Sequence, residues 1–214
     1  MKPIVCYVTD RKALNAADAA GNVLAKIRRA MAAGVDWVQI RERDMPAREL
    51  LGLARAAGGI GAGGARVIVN DRLDVALAAG AAGVHLGGES VPAREVVRWC
   101  RGRNAPAGFL IGVSCHSLEE AREAEDSGAS YVFFGPVFET PSKKKFGPPQ
   151  GIARLGEACR AVRIPVIAIG GVNEGNVAEC LRAGAAGIAA IRMFQESSET
   201  ETLKRAIKRI HDGG

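Results

Sequence analysis

The sequence lacks apolar runs of the length that a membrane span requires. None of its 214 residues lies in an uncharged apolar stretch of roughly 18 or more, the minimum for a transmembrane helix. The N-terminus, MKPIVCYVTD, lacks both the long apolar core of a signal peptide and the Arg- and Ser-rich pattern of a transit peptide. We therefore expect a cytoplasmic protein without membrane contact, in which residues 1–214 form one domain.

Aromatic residues and clustered metal ligands are also scarce. Aromatic side chains make up 5% of the residues, and the five cysteines are widely spaced with no CxxC motif and no Cys/His pairing at metal-ligand spacing, which argues against a disulfide framework and a zinc site. The formal charge is +6, but most Lys and Arg residues are spread along predicted helices without interleaved aromatics. That pattern favours solvated helix surfaces and anionic small molecules over nucleic acid.

What the sequence does contain is eight short apolar runs that alternate with segments of helical periodicity. The runs span residues 4–8, 37–40, 67–69, 83–86, 109–113, 131–134, 166–169 and 187–191. Residues 93–100 and 118–126 are examples of the helical segments. Strands that alternate with helices predict βα units around a parallel sheet.

An internal repeat indicates how this sheet closes. Four similar segments begin at Ala33, Ala79, Ser127 and Ala183, about 50 residues apart. Each places Gly where a helix would end, just before an apolar run. The spacing fits two βα units, so we predict a single (β/α)8 TIM barrel, an α/β fold. An open, doubly wound sheet is the alternative.

Polar residues follow every run, where a barrel enzyme carries its chemistry. In chain order they are Thr9, Asp10 and Arg11; Gln39 and residues 41–44; Asn70, Asp71 and Arg72; Glu89 and Ser90; Ser114 and His116; Thr140, Ser142 and Lys143; Gly170, Gly171 and Asn173; and Arg192. Core packing does not require such a ring, so we expect the active site at this end of the barrel. His85 alternates with apolar neighbours and is predicted to belong to the barrel wall.

Two anion-binding sites are predicted within this ring. Gly170, Gly171 and Arg192 follow the last two runs, where barrels often bind phosphate through backbone N–H groups; tight turns that need Gly are the alternative. The second site combines cations and hydroxyls that suit oxygen-rich anions; a solvated basic loop and an exposed charge run are its alternatives. Its members are Arg41, Arg43, Thr140, Ser142 and Lys143.

A metal ligand and a proton-transfer group complete the predicted site. Asp71 offers a hard oxygen ligand of the kind that holds Mg²⁺ together with substrate phosphates. His116 precedes Ser117, a predicted helix N-cap whose capping box is completed by Glu120. A His in this position could transfer a proton near neutral pH or contact a substrate.

The chain contains six motifs that together identify a family. In chain order they are QIRERD (39–44), VNDRLDVAL (69–77), GVHLG (83–87), IGVSCHSLEEA (111–121), FGPVFETPSKK (134–144) and AIGGV (168–172). With them the chain resembles thiamine-phosphate synthases and the related thiazole tautomerases over nearly its whole length. For a synthase, the resemblance implies that a pyrimidine pyrophosphate and a thiazole phosphate condense to thiamine phosphate and pyrophosphate. It further implies a pyrimidinyl carbocation intermediate and a requirement for Mg²⁺.

The resemblance also implies roles for individual residues. The catalytic group would comprise Arg41, Asn70, Ser114, Lys143 and His116. Substrate-binding residues would be Gln39, Arg43, Asn70, Ser114, Thr140, Ser142, Lys143, Gly171, Ile191 and Arg192. The Mg²⁺ ligand would be Asp71, with Ser90 and Glu89 as secondary candidates.

Three positions depart from the synthase pattern, with Arg43 in place of the usual Lys, Ser90 in place of the second Mg²⁺ carboxylate, and Arg192 in place of a serine. Two alternatives therefore stay open. One is a thiazole tautomerase with His116 as general acid/base on a thiazole carboxylate phosphate, and the other is a non-catalytic thiazole-phosphate-binding protein. Asp71 favours the synthase, because a tautomerase needs no Mg²⁺ ligand. The sequence does not fix the oligomeric state, and a homo-oligomer is compatible with it.

Overall fold

Eight parallel strands form a closed barrel in which each strand pairs with the next and the last pairs with the first. The computed structural model describes residues 2–13, 22–60, 64–140, 148–197 and 199–213. The strands are β1 (Ile4–Val8), β2 (Trp37–Ile40), β3 (Arg66–Asn70), β4 (Gly83–Leu86), β5 (Leu110–Cys115), β6 (Tyr131–Phe134), β7 (Val166–Ile169) and β8 (Gly187–Ala190). The predicted (β/α)8 barrel is confirmed, and the open sheet is wrong.

Helices cover the outside of the barrel. In the described ranges they are α1 (Asn22–Ala33), α2 (Ala47–Ile60), α3 (Leu73–Ala79), α4 (Ala93–Trp99), α5 (Leu118–Asp126), α6 (Gly151–Ala161), α7 (Val177–Arg182), α8 (Arg192–Gln195) and α9 (Thr200–His211). The glycine of each repeat has a positive φ, for example 67° at Gly80. There it ends α3, and its N–H bonds the carbonyls of Ala76 and Leu77, which confirms the predicted left-handed cap.

Strand bounds differ from the prediction at β3, β5 and β8. The largest difference is at β5, which the apolar pattern ended at 113 and which continues to Cys115. Ser114 and Cys115 remain in register with Phe133 and Phe134 of β6. A polar side chain at the end of a strand ends the apolar run in the sequence, but the hydrogen bonds to the neighbouring strand continue past it. The apolar pattern therefore predicted an end to β5 that is too early.

Side chains alternate between two apolar layers. Val5 and Tyr7 of β1 face the helices, whereas Cys6 and Val8 face the barrel interior. The interior cluster consists of Cys6, Val8, Trp37, Ile68, Tyr131, Phe133, Ile167 and Ala189. Three aromatic residues, Trp37, Tyr131 and Phe133, lie in this cluster, and the Trp37 and Tyr131 rings lie 4.7 Å apart. This packed interior closes the floor beneath the carboxyl ends of the strands.

Two further observations bear on the expectations from sequence. None of the helices in the described ranges combines the length and apolarity that crossing a bilayer would demand. All five cysteines are free thiols. Burial raises the pKa of the Cys115 thiol to about 12, so it is an unreactive core group at neutral pH.

Candidate functional site

The carboxyl ends of the strands surround an open mouth. A cavity of about 230 Å³ lies on the β1 and β2 side, lined by Asp10, Lys12, Arg41, Glu42, Arg43 and Asp44. Those predicted site residues of β2 to β8 that the structure describes stand around the same rim, because each follows or ends a parallel strand. This is the arrangement that the sequence predicted.

Glu42 organises the cationic side of the mouth. Its carboxylate is 5% exposed and accepts hydrogen bonds from Thr9 Oγ1 at 2.6 Å and from the Arg11 backbone N–H. Thr9 Oγ1 in turn accepts a bond from the Arg41 N–H at 3.0 Å. The alternative of an exposed charge run is therefore wrong for Glu42, which sequence reasoning had not assigned to the site.

Arg41 is held with its guanidinium at the mouth. Its Nη1 lies 3.7 Å from Asp10 Oδ2. Burial, and then the neighbouring charge of Arg43, lower the pKa of Arg41, yet a guanidinium remains protonated at any physiological pH. Arg43 itself is exposed and lines the cavity. Two cations beside one cavity are suited to an anionic ligand.

A chain of hydrogen bonds links β2, β3 and the end of β4. Gln39 Nε2 donates to Asn70 Oδ1 at 2.8 Å, and Asn70 Nδ2 donates to Asp71 Oδ2 at 2.7 Å. The other oxygen, Asp71 Oδ1, accepts from Ser90 Oγ and from the Gly87 N–H. Gln39 Oε1 is buried, and no partner for it is found among the described residues. That oxygen can therefore accept a hydrogen bond from a ligand amino group.

The Asp71 site fits a hard cation in part. Asp71 is exposed, and the Ser90 hydroxyl next to it adds a second oxygen. Glu89 is also exposed, and no described contact joins it to Asp71. Within the described ranges, no group of three or more His, Cys, Asp or Glu side chains could hold a metal ion. A bound Mg²⁺ would therefore take most of its ligands from substrate phosphates and water, which is its usual mode of binding.

Ser114 lies where β5 reaches the mouth, and His85 supports it from below. His85 Nε2 is 2.9 Å from Ser114 Oγ, and Nδ1 is 3.1 Å from the Tyr131 hydroxyl. The His85 ring is 1% exposed, which agrees with the predicted barrel-wall position. Burial lowers its pKa to about 3, so the imidazole is neutral at pH 7.

His116 directly follows the last residue of β5, Cys115, and is exposed. Its backbone N–H donates to Glu120 Oε2 at 2.6 Å, and its ring Nδ1 contacts the Gly135 carbonyl oxygen. Ser117 Oγ accepts from the Glu120 N–H at 3.1 Å, as predicted for the N-cap. The reciprocal bond of a capping box goes to His116 instead of Ser117, because the Glu120 side chain reaches one residue further.

The ends of β6 and β7 lie against each other, which brings Phe138 and Glu139 beside Gly171. The Phe138 N–H donates to the Gly170 carbonyl at 2.9 Å. A Cβ added at Gly171, whose φ is 71°, would lie 2.7 Å from Glu139 O. The half-buried Thr140 follows directly, whereas the predicted Ser142 and Lys143 lie outside the described residues.

At the end of β8, Ile191 packs against the barrel interior. Arg192 begins α8, its side chain is 58% exposed, and its Nε lies 3.9 Å from Glu196 Oε1. The guanidinium is thus directed along its own helix, where a loose exposed pair contributes little.

These features define a class, namely (β/α)8-barrel proteins whose mouth is built for phosphorylated ligands. The sequence model of one family, described as thiamine monophosphate synthase, matches residues 5–194. The chain belongs to this family.

Curated relatives and solved structures agree with that membership. The chain is 46% identical over 201 residues to a putative thiamine-phosphate synthase of Geobacter sulfurreducens, covering 94% of this chain and 90% of the relative. It is 40% identical over 208 residues to a thiamine-phosphate synthase of Roseiflexus sp. (strain RS-1), covering 97% and 84%. A thiamine phosphate pyrophosphorylase structure from Pyrococcus furiosus superposes with a TM-score of 0.84 at 31% identity, covering 98% of this chain and 95% of that one.

Proposed function

We propose that this protein is a transferase of the thiamine-phosphate diphosphorylase type. It condenses 4-amino-2-methyl-5-(diphosphooxymethyl)pyrimidine with a thiazole phosphate, giving thiamine phosphate and pyrophosphate. The observation that carries the proposal is the hydrogen-bonded chain from Gln39 through Asn70 to Asp71 and Ser90, together with the guanidinium of Arg41, on which the charge of Asp71 acts. The chain offers amide, hydroxyl and carboxylate groups, and the cavity on the β1 and β2 side offers cations interspersed with carboxylates.

Departure of the diphosphate is the step for which this mouth is suited. As the C–O bond of the pyrimidine lengthens, negative charge grows on the diphosphate and positive charge on the pyrimidinylmethyl carbon. Arg41, Arg43 and Lys143 balance the first charge, with hydrogen bonds from Ser114, because preorganised cations and donors stabilise developing charge without reorganising. Asn70 is oriented by its bonds on either side. The thiazole nitrogen then captures the carbocation, which forms the new C–N bond.

The two heterocycles use different parts of the rim. The unpartnered Gln39 Oε1 accepts a hydrogen bond from the amino group of the pyrimidine. The thiazole phosphate binds between the β6–β7 and β8 loops, at Thr140, Ser142, Gly171, the backbone at Ile191, and Arg192. The packing of Phe138 and Glu139, which directly precede Thr140, against Gly171 supports this second part.

Mg²⁺ is the proposed cofactor, held by Asp71 with Ser90 as an auxiliary oxygen ligand. When bound, it supplies positive charge to the leaving diphosphate. Glu89 is a less suitable ligand because no contact links it to Asp71. The bonds that Asp71 accepts from Asn70 and Ser90 orient its carboxylate, and each oxygen retains lone pairs for a cation.

A thiazole tautomerase is the second candidate. The observation in its favour is that the contact between His116 Nδ1 and the Gly135 carbonyl leaves the exposed Nε2 as a base. That activity would be independent of metal and would be lost in His116→Ala. The third candidate, a sensor, would bind thiazole phosphate and convert nothing.

Incubation of the purified protein with both synthase substrates and Mg²⁺ tests the proposal. We expect thiamine phosphate and pyrophosphate in equal amounts, and loss of both when Mg²⁺ is chelated. Absence of product at high enzyme concentration would refute the synthase. The cytoplasmic location, the organisation of residues 1–214 as one domain and the homo-oligomeric state stay predictions.

A further inference from the structure

A buried line of three polar side chains leads away from Ser114 into the barrel. Tyr131, His85 and Ser114 come from three neighbouring strands, β6, β4 and β5, and the two rings are fully enclosed. Neither ring reaches the rim, so neither touches a substrate in the proposed reaction. Buried polar groups of this kind cost free energy unless they are paired, which raises the question of what the pairing does.

The packing allows the ring of His85 little freedom. Phe133 lies 4.3 Å from it, centroid to centroid, and Tyr131 lies 5.6 Å away. At Gly112 an added Cβ would overlap Tyr131 Cζ and lie 2.6 Å from His85 Nδ1. The missing side chain at Gly112 is therefore what lets the Tyr131 hydroxyl reach Nδ1. Each ring nitrogen faces one hydroxyl, and this assignment is fixed by shape.

Counting protons then fixes the direction of both hydrogen bonds. A neutral imidazole has one N–H and one acceptor nitrogen. In the described part of the chain, His85 is the only hydrogen-bond partner found for the Tyr131 hydroxyl. An unused buried donor costs about 1–3 kcal/mol, so the phenol donates to Nδ1. Nε2 then carries the ring proton and donates it to Ser114 Oγ.

We propose that Tyr131 and His85 are positioning residues that turn the Ser114 hydroxyl outward as a hydrogen-bond donor to the diphosphate. The inference rests on the proposed function for the identity of the ligand. With the reverse tautomer, the Ser114 proton would be drawn inward to Nε2 and only lone pairs would face the diphosphate oxygens. By fixing the tautomer, Tyr131 and His85 therefore favour a ligand that accepts a hydrogen bond from Ser114, such as an anionic diphosphate oxygen.

Tyr131→Phe tests the inference, because it removes one oxygen and keeps the ring. The matched control is Tyr7→Phe, which removes the same atom from a fully buried tyrosine that packs on Phe194 outside the barrel. The first readout is the ¹⁵N spectrum of the imidazoles, which is tractable because the chain has three histidines; His116→Asn and His211→Asn assign His85 by elimination. We expect a pure Nε2–H tautomer in the wild type and in Tyr7→Phe, and a mixture in Tyr131→Phe.

The second readout is the Kd of inorganic pyrophosphate in the presence of Mg²⁺. Loss of one hydrogen bond to a charged group corresponds to a weakening of about tenfold or more. We expect that weakening in Tyr131→Phe and in Ser114→Ala, no change in Tyr7→Phe, and no further loss in the double variant Tyr131→Phe/Ser114→Ala. Thermal unfolding confirms that each variant is folded.

Two results would overturn the inference: an Nδ1–H tautomer in the folded wild type, or independent effects of Tyr131→Phe and Ser114→Ala that add in the double variant. A purely structural role of Tyr131 would produce the second. Failure of the proposed function is a separate result, namely no thiamine phosphate formed by a protein whose tautomer and pyrophosphate binding behave as expected.

Discussion

At Asp71 an unusual backbone conformation places a carboxylate of the candidate site. Its φ of 61° is the one positive value at a non-glycine position in the described part of the chain. A left-handed residue other than Gly costs about 1 kcal/mol, although Asp and Asn tolerate it best. The Asp71 N–H bonds the His85 carbonyl at 2.9 Å, and the turn directs the carboxylate toward Ser90. The strain is thus associated with the placement of one carboxylate at the rim.

Asp71→Asn should abolish the charge and preserve the turn. Since Asn also accepts positive φ, we expect a melting temperature close to that of the wild type. The synthase rate should fall by roughly 100-fold, because changing even a residue that only orients a metal ligand costs about 10–100-fold in metal affinity or activity. Half-maximal activity should also need more Mg²⁺. The measurement is a Mg²⁺ titration of the initial rate. Asp74→Asn is the control, because Asp74 is exposed and bonds Arg72 at 2.6 Å on the adjoining turn; a similar loss there would contradict the prediction.

Among individual residues, the sequence predicted the position of side chains that directly follow a strand. It did not predict the role of side chains that affect the site only by contacting another residue. Gln39, Asn70 and Asp71 could be placed together because the ends of adjacent parallel strands must meet. The roles of Glu42 and Tyr131 could not be predicted. A buried carboxylate inside a charge run has the same composition as an exposed one, and the contact between Tyr131 and His85 joins positions 46 residues apart.

At the scale of elements, the apolar runs predicted all eight strands because strands enclosed on both faces are apolar throughout. Their ends were less certain, as β5 shows, since hydrogen bonding continues past the last apolar residue. The loop after β6 illustrates a further limit. Its residues gave two hypotheses, an anion site and a solvated loop, and both stay predictions because Ser142 and Lys143 lie outside the described residues. What the structure adds is the packing of residues 138 and 139 against Gly171. Such packing depends on two loops at once, which no single segment encodes.

Gly171→Ala should disturb this loop pair. The new Cβ would lie 2.7 Å from Glu139 O and from Phe138 Cβ, so residues 138–140 must move. We expect a loss of about 1 kcal/mol for the positive φ and a further loss of about 1–3 kcal/mol for the overlap. The KM for thiazole phosphate should rise. Urea unfolding and steady-state kinetics measure the two effects.

Gly80→Ala is the matched control for that variant. Gly80 has a similar φ of 67°, but a Cβ there would meet no atom within 4 Å. It lies at the opposite end of the barrel, just before β4. We expect the conformational cost alone and an unchanged KM. Equal losses of stability in the two variants, with the KM unaffected in both, would show that the loops do not depend on Gly171.

At the scale of the whole molecule, Asp36 joins the two ends of the chain on the side away from the mouth. It precedes β2, and its carboxylate accepts bonds from Lys2 Nζ at 2.9 Å and from the Val5 N–H at 2.9 Å. His211 Nε2, at the end of α9, lies 2.8 Å from the same carboxylate. The first strand, the second strand and the last helix therefore share one anion. Its contribution is to closure of the barrel and not to the site.

The contacts of the Asp36 carboxylate should make the free energy of unfolding depend on pH. Burial alone would raise the pKa of Asp36, but the bonds from Lys2, Val5 and His211 outweigh it, and the pKa is lowered from 3.8. A carboxyl whose pKa is depressed in the folded state stabilises the fold above its unfolded pKa, and the stabilisation is lost as the pH falls through the folded value. The free energy of unfolding should therefore decline below about pH 4. In Asp36→Asn it should be lower by about 1–2 kcal/mol at pH 7, since the partly exposed bonds are discounted for solvent, and should fall less steeply in acid.

Urea unfolding of Asp36→Asn and the wild type between pH 3 and pH 7 makes the comparison. Asp212→Asn is the control, because that carboxylate is 61% exposed and its ion pair among the described residues is with Lys208 of the adjoining α9. It should change the free energy of unfolding by less than about 0.5 kcal/mol. Because Asp36 lies at the far end of the barrel, kcat/KM at pH 7 and 25 °C should be the same in both variants. A parallel loss of synthase activity in Asp36→Asn, with the protein fully folded, would mean that the two ends of the barrel are coupled and that the separation of stability from site is wrong.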